Sequence, residues 1–160
     1  MTKKDISKLD LVFILDTTSS MGPYINAAKE GINNIFDTII KAESCHLQIG
    51  LVNYRDHPPQ ELTYITQVFD LTGDVNTIKA NISATAHQGG GDLPEAICCG
   101  LEKSLNSVTW RVDSVKIAIL IADAPPHGLG KCKEDIYQIC SIHDMNYNFQ
   151  VKFDYIIFVF

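Results

Sequence analysis

The chain has 160 residues, 46% of them hydrophobic and 20% charged, enough to bury one core and too few for two independent domains. Its formal net charge is -6, with no Lys/Arg cluster, which argues against nucleic acid and gives no support for attraction to an anionic membrane. A divalent cation suits this balance better.

Residues 1–9 read as a polar lead to a single domain over 10–160. The apolar runs Leu11–Leu15 and Tyr155–Phe160 are too short for a signal peptide or a membrane span. Cys45, Cys98, Cys99, Cys132 and Cys140 form an odd set without a secretory signal. That predicts reduced thiols and a cytoplasmic protein.

Leu9–Asp16 is a nearly continuous apolar run with β-branched residues, the composition of a strand buried on both faces of a parallel sheet. After Gly22-Pro23, the residues Ile25, Ala28, Ile32, Ile35, Phe36 and Ile39 recur at three- and four-residue intervals. They predict a helix with one core-facing stripe, ending near Glu43. His46–Tyr54 predicts a second strand, stopped at Asp56-His57-Pro58-Pro59 because proline cannot donate to a ladder. Tyr64–Leu71 alternates over part of its length, as a half-exposed edge strand does. Asp74–Ala84 has helical spacing behind a Thr72 or Asp74 cap.

Gly89-Gly90-Gly91-Asp92 then breaks the chain. Pro94 suits the first turn of a helix whose stripe is Ala96, Ile97, Leu101 and Leu105. Val115–Ala122 is a further apolar strand ending at Asp123-Ala124-Pro125-Pro126, followed by a helix over Asp135–Asp144 and a closing strand over Phe153–Phe160. Strands alternating with helices predict an α/β, doubly wound, mostly parallel sheet with helices on both faces and right-handed crossovers.

Asp16-Thr17-Thr18-Ser19-Ser20-Met21-Gly22 lies where a buried strand yields to a helix. Asp16, Thr18 and Ser20 therefore offer oxygen ligands at alternate positions, as a hard cation such as magnesium requires. The competing reading is that the hydroxyls cap the helix. Asp123 also ends a buried strand, and ligands in open doubly wound sheets collect beyond the carboxyl ends of strands. Asp92 follows the glycine hinge, where backbone can approach a ligand closely. Each acid alone reads as solvated surface; their joint placement at three loop edges points to one metal site of Asp16, Thr18, Ser20, Asp92 and Asp123. Glu95 is the substitute ligand if Asp92 turns away, and otherwise a first-turn acid favoured by the helix dipole.

The stretch Asp16 to Gly22 resembles the Asp-x-Ser/Thr-x-Ser element of the metal-ion-dependent adhesion site (MIDAS) of von Willebrand factor A domains, and Ile121-Ala122-Asp123 resembles its later aspartate. The strings Asn53-Tyr54-Arg55-Asp56-His57-Pro58-Pro59, Gly89-Gly90-Gly91-Asp92-Leu93-Pro94-Glu95-Ala96 and Ile121 to Gly128 are similar to the A-type domain found beside atypical alpha-kinase domains and in related intracellular proteins. This resemblance covers about Asp10 to Gly128. It implies a sheet ordered 3-2-1-4-5 with strand three antiparallel at the edge, and a metal held by Asp16, Thr18 and Ser20 with Asp123 nearby. Asp92 falls near a position where many family members place threonine. Beyond about residue 130 no family motif is recognised, so the domain is expected to be divergent or truncated there.

The implied function is a metal-dependent protein-protein interaction module, a targeting part of a larger kinase-related protein. It would hold Mg2+, with Mn2+ or Ca2+ as alternatives, and bind a protein partner. No small-molecule substrate, nucleic acid or membrane span is expected, and no enzymatic activity. The enzymatic rival is a haloacid dehalogenase-like aspartyl-phosphate phosphotransferase, whose nucleophile motif Asp16-x-Thr18-x-Ser20 resembles. Thr18 stands where that motif normally carries its second acid. A zinc site from His127, Cys132, Cys140 and His143 lacks short regular ligand spacing, and His57 and His127, beside proline turns, read as surface loop histidines, with lining of the metal face as the alternative.

Overall fold

The computed structural model describes residues 5–41, 45–127 and 155–159. Along the chain these give β1 (Asp5–Asp16), α1 (Ile25–Lys41), β2 (His46–Tyr54), β3 (Thr66–Thr72), α2 (Val75–Ala84), α3 (Ile97–Asn106), β4 (Ser114–Ile121) and β5 (Tyr155–Val159). The sheet order is β3-β2-β1-β4-β5. β1 runs parallel to β2 and β4, β4 parallel to β5, and β3 is antiparallel at the edge. The expected α/β doubly wound architecture and its 3-2-1-4-5 order are what the chain adopts.

Strand alternation sorts the apolar runs into two cores. Val12, Ile14, Val52, Tyr54, Ala118 and Leu120 face α3 through Ile97, Leu101 and Leu105. Leu11, Phe13, Leu15, Ile49, Leu51 and Ile119 face the other way, against Ile25, Ile32 and Phe36 of α1 and Ile78 and Ile82 of α2. Both faces of the central strands are thus covered, which is why β1 reads as unbroken hydrophobe. Each fully buried aliphatic or aromatic side chain contributes about 1.5–3 kcal/mol. α3 packs closely because Gly100 has no side chain: a Cβ there would stand 2.9 Å from Tyr54 Cδ1 and 3.2 Å from Ile14 Cγ2.

Three boundaries differ from the sequence expectation for identifiable reasons. β1 starts at Asp5 rather than Leu9, since the Asp5 amide donates to Asp113 O at 2.7 Å across a register slip between Asp5 and Leu9. A 3-10 turn, Ser19–Met21, precedes α1. α3 starts at Ile97, after Pro94, because the Glu95 and Ala96 amides donate to Pro125 O (3.0 Å) and Arg55 O (2.9 Å) outside the helix. The expected helix over Asp135–Asp144 lies outside the described residues.

Register places the functional edge. Asp16 stands opposite Tyr54 on β2, and Leu15 opposite Ile121 on β4. The three strands end level, so residues 17–20, 55–57 and 122–123 emerge side by side.

Candidate metal centre

Asp16 is fully buried at the end of β1. Its Oδ1 accepts from the Thr18 amide (2.9 Å) and the Thr18 hydroxyl (2.7 Å), and its Oδ2 accepts from Tyr54 OH at 3.4 Å. The chain of oxygens continues from Thr18 Oγ1 to Ser20 Oγ at 3.1 Å and from Ser20 Oγ to Asp123 Oδ1 at 3.0 Å. Thr18 precedes the 3-10 turn yet makes no side-chain capping bond to it. Its hydroxyl is turned to the carboxylate instead, against the helix-cap reading. Four of the expected site residues, Asp16, Thr18, Ser20 and Asp123, are therefore joined by hydrogen bonds across β1 and β4.

The loops are tied to this core by backbone. Thr17 N donates to Tyr54 O, Gln88 N to Thr17 O and Ser19 N to Gly89 O, all within 3.0 Å. Gly89 and Gly90 have φ of +74° and +73°, the left-handed region that glycine enters without strain. Space imposes the same choice. A Cβ on Gly90 would lie 2.8 Å from Glu95 Oε1 and 3.2 Å from Thr18 Cβ, and one on Gly89 would collide with Glu61.

Glu95 is thus brought against Thr18, with 3% of its surface exposed. Burial, then the charges of Asp16 and Asp56, push its carboxyl up to about 9, against the Thr18 hydroxyl. Asp16 is raised to about 6 by burial, opposed by the Thr18 hydrogen bonds. Glu95 Oε2 is buried without a hydrogen-bond partner. Carboxyls packed this way favour a proton or a cation over bare negative charge.

Asp92 lies outside the hydrogen-bonded path from Asp16 to Asp123, though its charge still reaches Glu95. It lies with Asp56 and His127, one potential ligand atom from each falling within 4.8 Å of the others. His127 Nε2 is 2.7 Å from Asp56 Oδ1. The Asp92 carboxyl is raised by burial and then by Asp56. His57 is buried rather than on the surface, its ring 5.5 Å from that of His127. Asp56 and Tyr54 were not singled out from sequence. The available signal for Asp56 was its position two residues past a strand adjacent to β1; nothing in the string distinguishes Tyr54.

A divalent cation fits this donor set: two hydroxyls, the Asp16 and Asp123 carboxylates, and a buried Glu95 with an unsatisfied oxygen form the hard, oxygen-only environment that magnesium-class ions take.

Comparison with known proteins agrees with the fold. Residues 10–150 match the family described as von Willebrand factor A domain, a match that continues past residue 130, where no motif was recognised. The chain is 31% identical over 121 residues to alpha-protein kinase vwkA of Dictyostelium discoideum, covering 75% of this chain and 19% of that protein; it spans about a fifth of that relative's length. Among solved structures, proximal thread matrix protein 1 from the mussel byssus superposes with a TM-score of 0.67 at 18% identity, covering 99% of this chain and 36% of that one. A further structure of the mussel protein has zinc in its MIDAS motif. The pilus adhesin SpaC of Lactobacillus rhamnosus GG superposes with a TM-score of 0.58 at 20% identity, covering 78% of this chain and 16% of the adhesin. Taken with the sheet order and the oxygen-lined edge, the match over residues 10–150 means that this chain belongs to the von Willebrand factor A domain family.

Proposed function

We propose that the chain is a metal-dependent protein-interaction module that holds a magnesium ion through Asp16, Thr18, Ser20 and Asp123, directly or through water, with Glu95 as a further acid. The observation that carries this reading is the unbroken hydrogen-bonded path from Asp16 to Asp123 across two strand ends. Bound there, the ion would supply positive charge and a coordination position for an oxygen of the partner. Manganese or calcium would serve with the same ligands.

The surroundings suit a contact surface. Leu62 and Leu93, 84% and 72% exposed, sit on the two loops that carry Glu61 and Asp92. Exposed apolar side chains beside a polar centre are what a partner would cover. Asp16 is held from both sides and fully buried, which suits an anchoring ligand better than an attacking nucleophile. The chain is similar to part of an alpha-kinase, and we read it as a targeting module of a larger cytoplasmic protein.

The test is a peptide selected from a random display library on the magnesium-loaded chain. It should release when chelator is added and should fail to bind Asp16→Ala. Binding that persists equally in chelator and in Asp16→Ala would overturn the reading.

A further inference from the structure

Asp56, Asp92 and His127 come from three separate loops, and the Asp16 to Asp123 path uses none of them. We propose that these three side chains hold a second cation of the zinc or cobalt class, at a site distinct from the magnesium site.

Asp56 is fully buried, and its Oδ2 has no hydrogen-bond partner. The Oδ1 of Asp92 is likewise buried and unpartnered. The three potential ligand atoms lie within 4.8 Å of one another, and the Asp92 and Asp56 carboxyls are close enough to share a proton in the cation's absence. A buried carboxylate oxygen left facing another carboxylate is costly. A cation among them removes that cost and uses the unpaired oxygens.

The remaining donor selects the metal. An imidazole beside two carboxylates favours borderline ions such as Zn2+ or Co2+, whereas the oxygen-only path around Asp16 favours magnesium. His127 Nε2 and Asp56 Oδ1 are 2.7 Å apart. Ligand atoms about 2.0–2.1 Å from a tetrahedral zinc ion lie about 3.3 Å from each other, so this pair needs to part by a little over half an ångström. The site is also framed. The His57 amide donates to Asp56 Oδ1 at 2.7 Å, and the His57 ring packs on that of His127. Glu95 and Pro126 form a bridge immediately before His127. Water would complete the shell, leaving an exchangeable position of the kind open zinc sites keep.

Cobalt absorbs visible light when it has a nitrogen and oxygen shell, so metal-stripped protein is titrated with Co2+ in excess Mg2+. We expect one equivalent of Co2+ to bind with a visible band. His127→Gln and Asp92→Asn should weaken it at least about 100-fold, since even residues that only orient a ligand cost about 10- to 100-fold. Both variants should keep their magnesium-dependent thermal shift, which also shows that they are folded. Asp16→Ala should lose that shift and keep the cobalt band, so failure of the magnesium reading leaves this result intact. The proposal is overturned if wild type takes up no Co2+ in excess Mg2+, if His127→Gln retains full affinity and an unchanged band, or if Asp16→Ala abolishes the band while still folded. Any of these would mean that the three side chains share a proton only, or that a single site exists.

Discussion

If Glu95 meets the magnesium ion, metal affinity must rise steeply with pH, because the carboxyl must first lose the proton that burial gives it. Its folded value of about 9 lies well above the ordinary 4.5, so at pH 7 the cation displaces a proton held two pH units too tightly. Apparent affinity at pH 7 should be about 100-fold below its plateau, about 2.7 kcal/mol, and should improve about tenfold per pH unit toward pH 9. Asp16, raised to about 6, is mostly ionised over that range and adds slope only at lower pH. Without metal the sign is opposite. The protonated Glu95 contributes stability that is fully present below about pH 4.5 and is lost as pH rises through about 9, at up to about 1.4 kcal/mol per unit. Calorimetric titrations of Mg2+ from pH 6.5 to 8.5, in buffers of different ionisation enthalpy, report affinity and proton release together. Wild type should release about one proton near pH 7.5. Glu95→Gln, neutral at every pH, should show affinity nearly independent of pH over this range. Flat wild-type affinity with no proton release would refute the reasoning and leave Glu95 outside the metal shell.

Three other outcomes follow from packing and charge. Gly100→Ala would drive a Cβ to 2.9 Å from Tyr54 Cδ1. It should cost about 1–3 kcal/mol in urea denaturation and weaken metal binding through the Tyr54 bond to Asp16. At the opposite end of the sheet, Arg111 Nε donates to the fully buried Asp10 at 2.6 Å. Arg111→Ala should therefore destabilise by about 3–5 kcal/mol while metal stoichiometry is unchanged, as chemical denaturation and metal analysis would show. Assayed on a generic aryl phosphate with magnesium, the wild-type chain should give no turnover above background; turnover lost in Asp16→Asn would restore the phosphotransferase reading.

Much of the fold was legible because the hydrophobic runs report their own geometry. β2 occupies His46–Tyr54 as its composition and proline stop indicate, and the spacing of Ile25, Ile32 and Phe36 marks the buried face of α1. The start of α3 was not legible, since it depends on Glu95 and Ala96 donating to residues far away in sequence. The site divides the same way. Asp16, Thr18 and Ser20 lie on one turn, so their convergence follows from spacing, and Asp123 joins them because β1 and β4 are neighbours. The placing of Asp92 and Glu95, three residues apart beyond flexible glycines, depends on how that loop folds over Glu61 and Thr18. Local sequence carries no record of that packing. His127 and Asp56, 71 positions apart, meet only through the sheet order.

The most direct test of the central claim is a pair of thermal melts, with magnesium and with chelator, for wild type and Asp16→Ala. Wild type should be stabilised by about 2.7 kcal/mol at a hundredfold excess over the dissociation constant, and Asp16→Ala should melt identically in both conditions. Identical wild-type melts with magnesium and chelator would contradict a metal site at the ends of β1 and β4.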